Sequence, residues 1–462
     1  MSDLRPFLNP ESVAIVGAGE RPTSSGGAVL ANLKRSGYRG AIYPVNPKGG
    51  EIQGLPAYSS LAALPAPAEL VAVLVRPESI VDVVREAAQT GHRNVLILPG
   101  GFAEAGEPGR ERDRRLRELA RQHGLRIGGP NCAGNINLLD KAAPFAVTFF
   151  RDLPRGGGVA FVSQSGALIE EAIASSHSLN MALGAVVSVG NSFDFGITEY
   201  LAEFGRDPRC SAVLVYLESF ADAARFARVA REVTTRKPVV ALIGGRTAPG
   251  REAALRHTGS RPADDETVEG FCRQAGVVRV KSLRRLLLAG KAFGAYPQGI
   301  GKRVLLLSNS GGPGVLAADQ AVEEGLLLPQ LPEAMAQRLR AQLPPEATVA
   351  NPLDLLADAR EERFGLTLSV ALEQGARHFD AILMIHVVPF MVDAEPVVAE
   401  LARLAKSTRV PLMHSMMGTL QDKARWFAQM EAAGVPMFDD SEEMCVAAAL
   451  LARHRELNAR SN

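Results

Sequence analysis

Short apolar runs recur along the chain, each stopped by glycine, proline or asparagine and followed by a stretch of helical character. The N-terminal ones are Ser12–Val16, Ala41–Val45, Leu70–Val75, Val95–Leu98 and Leu125–Ile127. Runs this short and this uniformly apolar fit strands buried on both faces of a parallel sheet. Ala28–Gly37 reads as a helix closed by glycine, and another helix opens at Pro77. The alternation continues through Val159–Val162, Val186–Val189, Ala212–Leu217 and Pro238–Ile243, then through Val304–Leu307, Ala381–His386 and Val410–His414. Phe226, Val229, Ala230 and Val233 mark the inner face of an amphipathic helix. Alternating βα units predict doubly wound parallel sheets. They divide the chain into three α/β segments, 1–128, 129–297 and 298–462.

The full length of 462 residues agrees with several cores rather than one. Lys+Arg (51) and Asp+Glu (50) nearly cancel, which removes the basic surplus expected of a nucleic-acid or anionic-membrane binder. Cys132, Cys210, Cys272 and Cys445 are scattered, with no spacing that suggests zinc or a disulfide framework, so no metal site is expected. The N-terminus has no signal-peptide pattern and no apolar run reaches transmembrane length; a cytoplasmic protein is expected.

Candidate chemistry falls at the ends of the predicted strands, where ligands bind in open α/β sheets. After the first strand, Gly17, Ala18, Gly19 and Arg21 form a glycine loop whose third glycine, Gly26, comes late. The second strand ends in Asn46-Pro47-Lys48, with a lysine where a NAD-binding enzyme places an acid. Lys48 fits a phosphate at the adenosine end of a ligand, as in NADP or coenzyme A, or a solvated turn lysine. Ser163-Gln164-Ser165-Gly166 turns directly into a helix, which fits either a phosphate site of backbone N–H groups or an ordinary serine cap. Glu218 ends a strand, where it can orient a histidine or simply be solvated. Gly244–Ser260 reads as a glycine-rich loop carrying His257, followed by Thr258 and Gly259. Imidazole can accept and release a phosphoryl group near neutral pH. Ser308-Asn309-Ser310-Gly311 repeats the strand–Ser-x-Ser-Gly–helix unit and predicts an internal duplication with a second phosphate cradle. His386 and His414 end strands without acid or cysteine partners in sequence and read as packing residues. Ser441 reads as the cap of a C-terminal helix.

Val16-Gly17-Ala18, Tyr43–Lys48, Gly100-Gly101-Phe102-Ala103-Glu104 and Gly129-Pro130-Asn131-Cys132-Ala133-Gly134 follow in an order that resembles the CoA-binding domain of NDP-forming acyl-CoA synthetases. These are relatives of the succinyl-CoA synthetase alpha subunit. The later Ser163–Gly166, Glu218, Thr247–Gly250, His257-Thr258-Gly259 and Asn351-Pro352-Leu353-Asp354 also match that family in order. The resemblance implies a Rossmann-like CoA-binding domain followed by two flavodoxin-like doubly wound parallel-sheet domains. It implies CoA contacts at Gly17, Ala18, Gly19, Arg21, Asn46, Lys48, Val75, Arg76, Pro77 and Gly101, and an acyl site at Asn131. His257 would be the phosphorylated histidine, Glu218 its partner, and Ser163–Gly166, Thr258, Gly259 and Ser308–Gly311 the phosphate contacts.

The reaction implied is acyl-CoA, ADP and phosphate giving acid, CoA and ATP, reversibly, through an acyl phosphate and a phosphohistidine. CoA and phosphate would bind here. Mg-ADP or Mg-ATP would bind a separate ATP-grasp beta chain, since none of the three segments has that domain's acid-bearing metal site. A hetero-oligomer with that chain is expected, or a homodimer in isolation. The sequence departs from the family at Ile243, where many relatives have lysine, at Leu255-Arg256, and at Ser260–Asp265, all around the histidine. A non-catalytic CoA-binding regulatory module and an NADP-binding oxidoreductase are the other classes the residues allow.

Overall fold

The computed structural model describes residues 3–258, 263–375, 377–389, 393–418 and 422–459. The chain forms two compact units, Met1–Leu287 and Leu288–Asn462.

The first unit begins with strands β1 (Ser12–Val16), β2 (Ala41–Val45), β3 (Gly50–Ile52), β4 (Leu55–Ala57), β5 (Leu70–Val73), β6 (Asn94–Ile97) and β7 (Arg126–Gly128). Five of them pair in parallel in the order β2-β1-β5-β6-β7. The order reverses between β1 and β5, so the loops leaving those strands diverge and open a crevice. Helices α1 (Arg5–Leu8), α2 (Ser25–Arg35), α3 (Pro77–Gln89) and α4 (Gly106–His123) cover the sheet. α2 starts three residues before the predicted Ala28, because Ser24 caps it by accepting from the Gly27 N–H at 3.3 Å. The late third glycine is thereby explained. Gly26 lies in the helix's first turn, where a Cβ would stand 2.0 Å from the Gly17 carbonyl oxygen. The β3–β4 hairpin is too short to show in the hydrophobic pattern.

The second sheet contains β8 (Gly134–Asn137), β9 (Phe145–Thr148), β10 (Val159–Ser163), β11 (Leu183–Ser188), β12 (Ala212–Leu217), β13 (Val239–Ile243) and β14 (Val278–Val280), ordered β14-β13-β12-β10-β11-β8-β9. β10 to β13 run parallel, as predicted, and β14, which the apolar pattern did not mark, adds to them in parallel. β8 runs antiparallel to β11 and to β9, which the sequence pattern did not reveal. Its buried asparagines hide the strand from a hydrophobic count. Asn135 Nδ2 donates to the Phe7 carbonyl at 3.0 Å, and Asn137 Nδ2 to Asn9 Oδ1 at 3.0 Å. Asn32 on α2 likewise donates to the carbonyls of Thr148 and Phe150. These bonds and a continuous apolar core join both sheets of this unit. The helices here are α5 (Gly166–Ser178), α6 (Ile197–Arg206), α7 (Ala223–Thr234), α8 (Ala248–Thr258) and α9 (Asp265–Gln274). α8 is a correction, because its residues were read as a loop. Pro249 falls in the first turn, where its missing N–H costs nothing.

Helix α10 (Leu283–Ala295) spans the boundary between the units. In the second unit, β15 (Val304–Ser308), β16 (Leu353–Asp354), β17 (Ala381–Val388), β18 (Leu412–Gly418) and β19 (Met437–Phe438) form a parallel sheet ordered β16-β15-β17-β18-β19. Its helices are α11 (Gly311–Glu323), α12 (Glu333–Arg340), α13 (Glu361–Gln374), α14 (Glu395–Ala405), α15 (Lys423–Ala432) and α16 (Ser441–Ala459). The cap of α16 is one residue earlier than predicted. Asp440 Oδ1 accepts from the Glu443 N–H at 2.9 Å, and Ser441 is the buried first residue of the helix. His386 and His414 are fully buried, with rings stacked 5.9 Å apart at 6°. Burial pushes His386 down to about 4, and burial together with the His386 charge pushes His414 well below the ordinary value. Burial also pushes His454 down to about 4. No helix among the described residues is long and apolar enough to cross a membrane.

The buried polar groups make this packing testable. Lys237 is 9% exposed and its Nζ donates to the carbonyls of Phe204, Asp207 and Cys210 at 3.0, 2.7 and 2.8 Å, tying the end of α6 to β12 and β13. Lys237→Met leaves three carbonyls to be resatisfied and should cost about 3 kcal/mol in chemical denaturation. The buried histidines stay neutral in the folded state, while the unfolded chain takes up protons near the ordinary value of 6.5. Stability is therefore complete above that value and falls as the pH drops from about 6.5 towards 4, by about 1.4 kcal/mol per pH unit for each such histidine. Urea midpoints of the second unit should fall between pH 7 and pH 5, and His386→Leu should flatten that slope.

Candidate active site

At the reversal point of the first sheet lies a cavity of about 720 Å³. The loop ends Leu74–Arg76 and Leu98–Gly100, the turn Asn131–Ala133, Phe149 and Phe150 line it. So do Ser25 at the start of α2 and Gly166, Ala167 and Glu170 at the start of α5. Four sequence-predicted site residues, Val75, Arg76, Asn131 and Gly166, therefore share one wall-to-wall space. Leucines, phenylalanines and alanines make its apolar lining, while Arg76, Asn131 and the α5 N-terminus supply polar ends. Cys132 lines it too, but burial pushes this thiol up to about 12, and its Sγ donates to the Ile97 carbonyl at 3.3 Å. At neutral pH it is a packed thiol, not a nucleophile.

The other predicted CoA contacts, Gly17, Ala18, Gly19, Arg21, Asn46, Lys48, Pro77 and Gly101, are not among the residues lining this cavity. Gly17, Ala18 and Gly19 turn between β1 and α2, with Ala18 buried in the core. Asn46 Nδ2 donates to the Ala18 carbonyl at 2.9 Å, and Asn46 Oδ1 accepts from the Lys48 N–H at 3.1 Å. Asn46 thus braces the loop and the turn after β2, and Arg21 and Lys48 stand exposed at their tips. Gly101 lies against the Pro77 ring, which joins the last two predicted CoA contacts. Sequence reasoning missed Gln53, in the turn of the β3–β4 hairpin. Its Nε2 donates to the carbonyls of Gly19 and Gly27 at 3.1 and 2.9 Å and straps the loop shut.

In the Ser163–Gly166 turn, the Ser163 hydroxyl is buried, accepts from the Ser165 N–H at 3.0 Å and donates to the Ser165 carbonyl at 2.9 Å. Gln164 reaches across to the next strand. Its Oε1 accepts from the Glu218 N–H at 2.7 Å and its Nε2 donates to the Ser219 carbonyl at 3.3 Å. Ser165 caps α5 by accepting from the Leu168 N–H. The side chains of this turn therefore hold it in shape, and what faces the cavity is the helix's first turn. Its N–H groups have no acceptor within the helix and carry the positive end of the helix dipole. Gly166 packs so tightly on residue 133 that a Cβ would stand 3.0 Å from the Ala133 Cβ.

The second unit repeats the device. Ser308 Oγ accepts from the Ser310 N–H at 3.0 Å and donates to the Ser310 carbonyl at 2.8 Å. Asn309 clips β17 through the N–H and carbonyl of Val387, both at 2.8 Å. Val387 stands where the first copy has Glu218, and the Asp354 carboxylate crowds Gly311 at the helix start.

Glu218 is 8% exposed at the end of β12, where its Oε1 accepts from the Tyr216 hydroxyl at 2.9 Å. Burial first, then the Glu218 charge and hydrogen bond, raise the Tyr216 phenol far above its ordinary value, so it stays a donor. Tyr216 is the second residue that sequence reasoning missed; a tyrosine within a buried strand reads as packing. Beside Glu218 a space of about 200 Å³ opens between Gly244-Gly245, Asp265 and the buried Arg279. The α8 backbone leaves from this edge and ends at Thr258. The side chains of His257 and Thr258, and all of Gly259 and Ser260, lie outside the described residues.

Comparison with known proteins agrees with this layout. Family models match in chain order: a CoA binding domain at residues 11–137, a succinyl-CoA ligase like flavodoxin domain at 156–293, and a ligase-CoA domain at 304–461. The alpha subunit of ADP-forming acetate–CoA ligase II from Pyrococcus furiosus is 34% identical over 454 residues, which cover 96% of each chain. ADP-forming acetate–CoA ligase I of Archaeoglobus fulgidus is 31% identical over 98% of this chain and 64% of its own length. A solved structure of dinucleotide forming acetyl-coenzyme A synthetase 1 from Ca. Korarchaeum cryptofilum, in complex with phosphate and ADP, is similar with a TM-score of 0.91 at 28% identity. That match covers 100% of this chain and 99% of the other. The chain belongs to the family of ADP-forming acetate–CoA ligase alpha subunits.

Proposed function

We propose that this chain is the CoA- and phosphate-handling subunit of an NDP-forming acyl-CoA ligase, converting acyl-CoA, ADP and phosphate to acid, CoA and ATP, reversibly. The observation that carries this reading is the single cavity in which Arg76 and Val75, Asn131 and the first turn of α5 meet. The glycine loop with Lys48 and Arg21 would hold the nucleotide end of CoA, and its thioester would reach Asn131. Phosphate held at the α5 N-terminus then attacks the thioester carbonyl; the C–S bond breaks, CoA leaves as the thiol, and an acyl phosphate forms. His257 attacks the phosphorus of that intermediate, the acid departs as carboxylate, and a phosphohistidine remains. Glu218, held by Tyr216, orients the imidazole and stabilises its charged form.

The phosphohistidine would pass its phosphoryl group to ADP on a separate ATP-grasp beta chain. Support for that partner comes from the naming of the Pyrococcus relative as an alpha subunit and from the longer Archaeoglobus ligase, of which this chain matches only 64%. The turn at Ser308–Gly311 is a second anion cradle in this reading, because it is held by the same serine clip.

The test is labelling. Purified chain incubated with acetyl-CoA and radiolabelled phosphate should acquire an acid-labile, base-stable label that His257→Ala lacks. CoA binding without any label would replace the ligase reading with a regulatory one. Tyr216→Phe should slow labelling about tenfold while leaving CoA affinity unchanged, since the phenol donates to the orienting carboxylate and does not line the cavity.

A further inference from the structure

Glu104 lies on the turn that follows the Gly100–Phe102 loop. Its Oε1 accepts from the backbone N–H groups of Gly101 and Phe102 at 2.5 and 3.1 Å. Its Oε2 accepts from Asn191 Nδ2 at 2.5 Å, and Asn191 Oδ1 in turn accepts from Asn131 Nδ2 at 3.3 Å. An ionised carboxylate can only accept, whereas a carboxamide has one donating and one accepting end. Glu104 therefore dictates the whole chain of amides. Asn191 must turn its Nδ2 to Glu104, which leaves its Oδ1 for Asn131, and Asn131 must spend an Nδ2 proton on Asn191.

The orientation of Asn131 follows. Its Oδ1 is set beside Gly100 at the cavity wall, where a Cβ on that glycine would stand 2.9 Å from it and 2.9 Å from Glu104 Oε1. The backbone fixes the rest. Asn131 takes the left-handed φ of +58° and its N–H donates to the Pro99 carbonyl at 3.0 Å, while the Asn191 N–H donates to the Pro130 carbonyl at 2.9 Å. Burial alone would raise the Glu104 carboxyl, but the hydrogen bonds from Asn191 and from the backbone outweigh it and hold it below its ordinary value, so the acceptor-only form persists.

We propose that Glu104 is a positioning residue for the acyl end of the cavity: acting through Asn191, it fixes which edge of the Asn131 amide meets the acyl group of the bound thioester. The proposal rests on the ligase reading of the cavity. Neither Glu104 nor Asn191 lines that cavity, and Glu104→Gln keeps the acceptor that holds the Gly101 and Phe102 N–H groups, so what that substitution changes reaches the cavity through Asn131.

The amide logic supplies its own test. Glu104→Gln keeps an acceptor for Gly101 and Phe102, but its new NH2 faces Asn191 and flips both asparagines. Asn191→Asp removes the donor to Glu104 and sets two carboxylates together. In the double variant Glu104→Gln/Asn191→Asp, the new amide at position 104 donates to the new carboxylate at position 191. That carboxylate again accepts from Asn131 Nδ2, and the original orientation returns. Affinities of the full chain for acetyl-CoA and for CoA, measured by calorimetry, separate the cases. Each single variant should weaken acetyl-CoA binding about tenfold with CoA binding unchanged, and the double variant should restore it. Glu104→Gln is isosteric, so it remains a valid test even if Asn191→Asp does not fold. Unchanged acetyl-CoA affinity in Glu104→Gln, or a folded double variant no better than the singles, overturns the proposal. A wild-type chain that binds neither ligand overturns the ligase reading itself.

Discussion

The contact of the α5 N-terminus with Ala133 is the constraint on which the site depends. A Cβ at position 166 would stand 3.0 Å from the Ala133 Cβ, so a side chain there would push its neighbour aside. That approach delivers the helix's positive end, built on the second sheet, into the crevice opened by the first. It places a helix N-terminus, whose free N–H groups favour an anion, beside the turn that carries Asn131. The Ser163–Gln164 clip secures the same approach from behind, by fixing the turn to the strand that ends in Glu218.

The two copies of the clip diverge in their chemistry. Both use a serine to close the turn and an amide side chain to grip the next strand, and both open a helix with glycine. Only the first grips a residue with a carboxylate. The second grips Val387. The shared parts maintain the backbone; the part that differs is the side chain presented at the gripped strand end.

Much of this was legible in the sequence because parallel strands buried on both faces are short apolar runs, and those runs located most of the parallel strands directly. β8 and β9 were not legible, because their buried polar groups are satisfied by residues more than a hundred positions away, such as Phe7 for Asn135 and Asn32 for Thr148. α8 was misread because Pro249 and Gly250 signal a loop, although a proline in the first turn suits a helix. Of the site, the strand-end residues were visible by type and order. Their supports were not: Tyr216, Gln53 and Asn191 look unremarkable in sequence and matter through the partners the fold gives them.

The seam between the first two sheets carries a mechanical consequence. Residues 131–133 of the connection line the cavity. Asn32, Asn135 and Asn137 cross-brace the two sheets with buried hydrogen bonds, and one apolar core runs through both. Such a joint cannot act as a hinge. Substrate can enter and leave without the crevice gaping, and the distance from the thioester to the anion site is held constant through the cycle. In the ligase reading, any travel towards a nucleotide on another chain is then asked of something other than this joint.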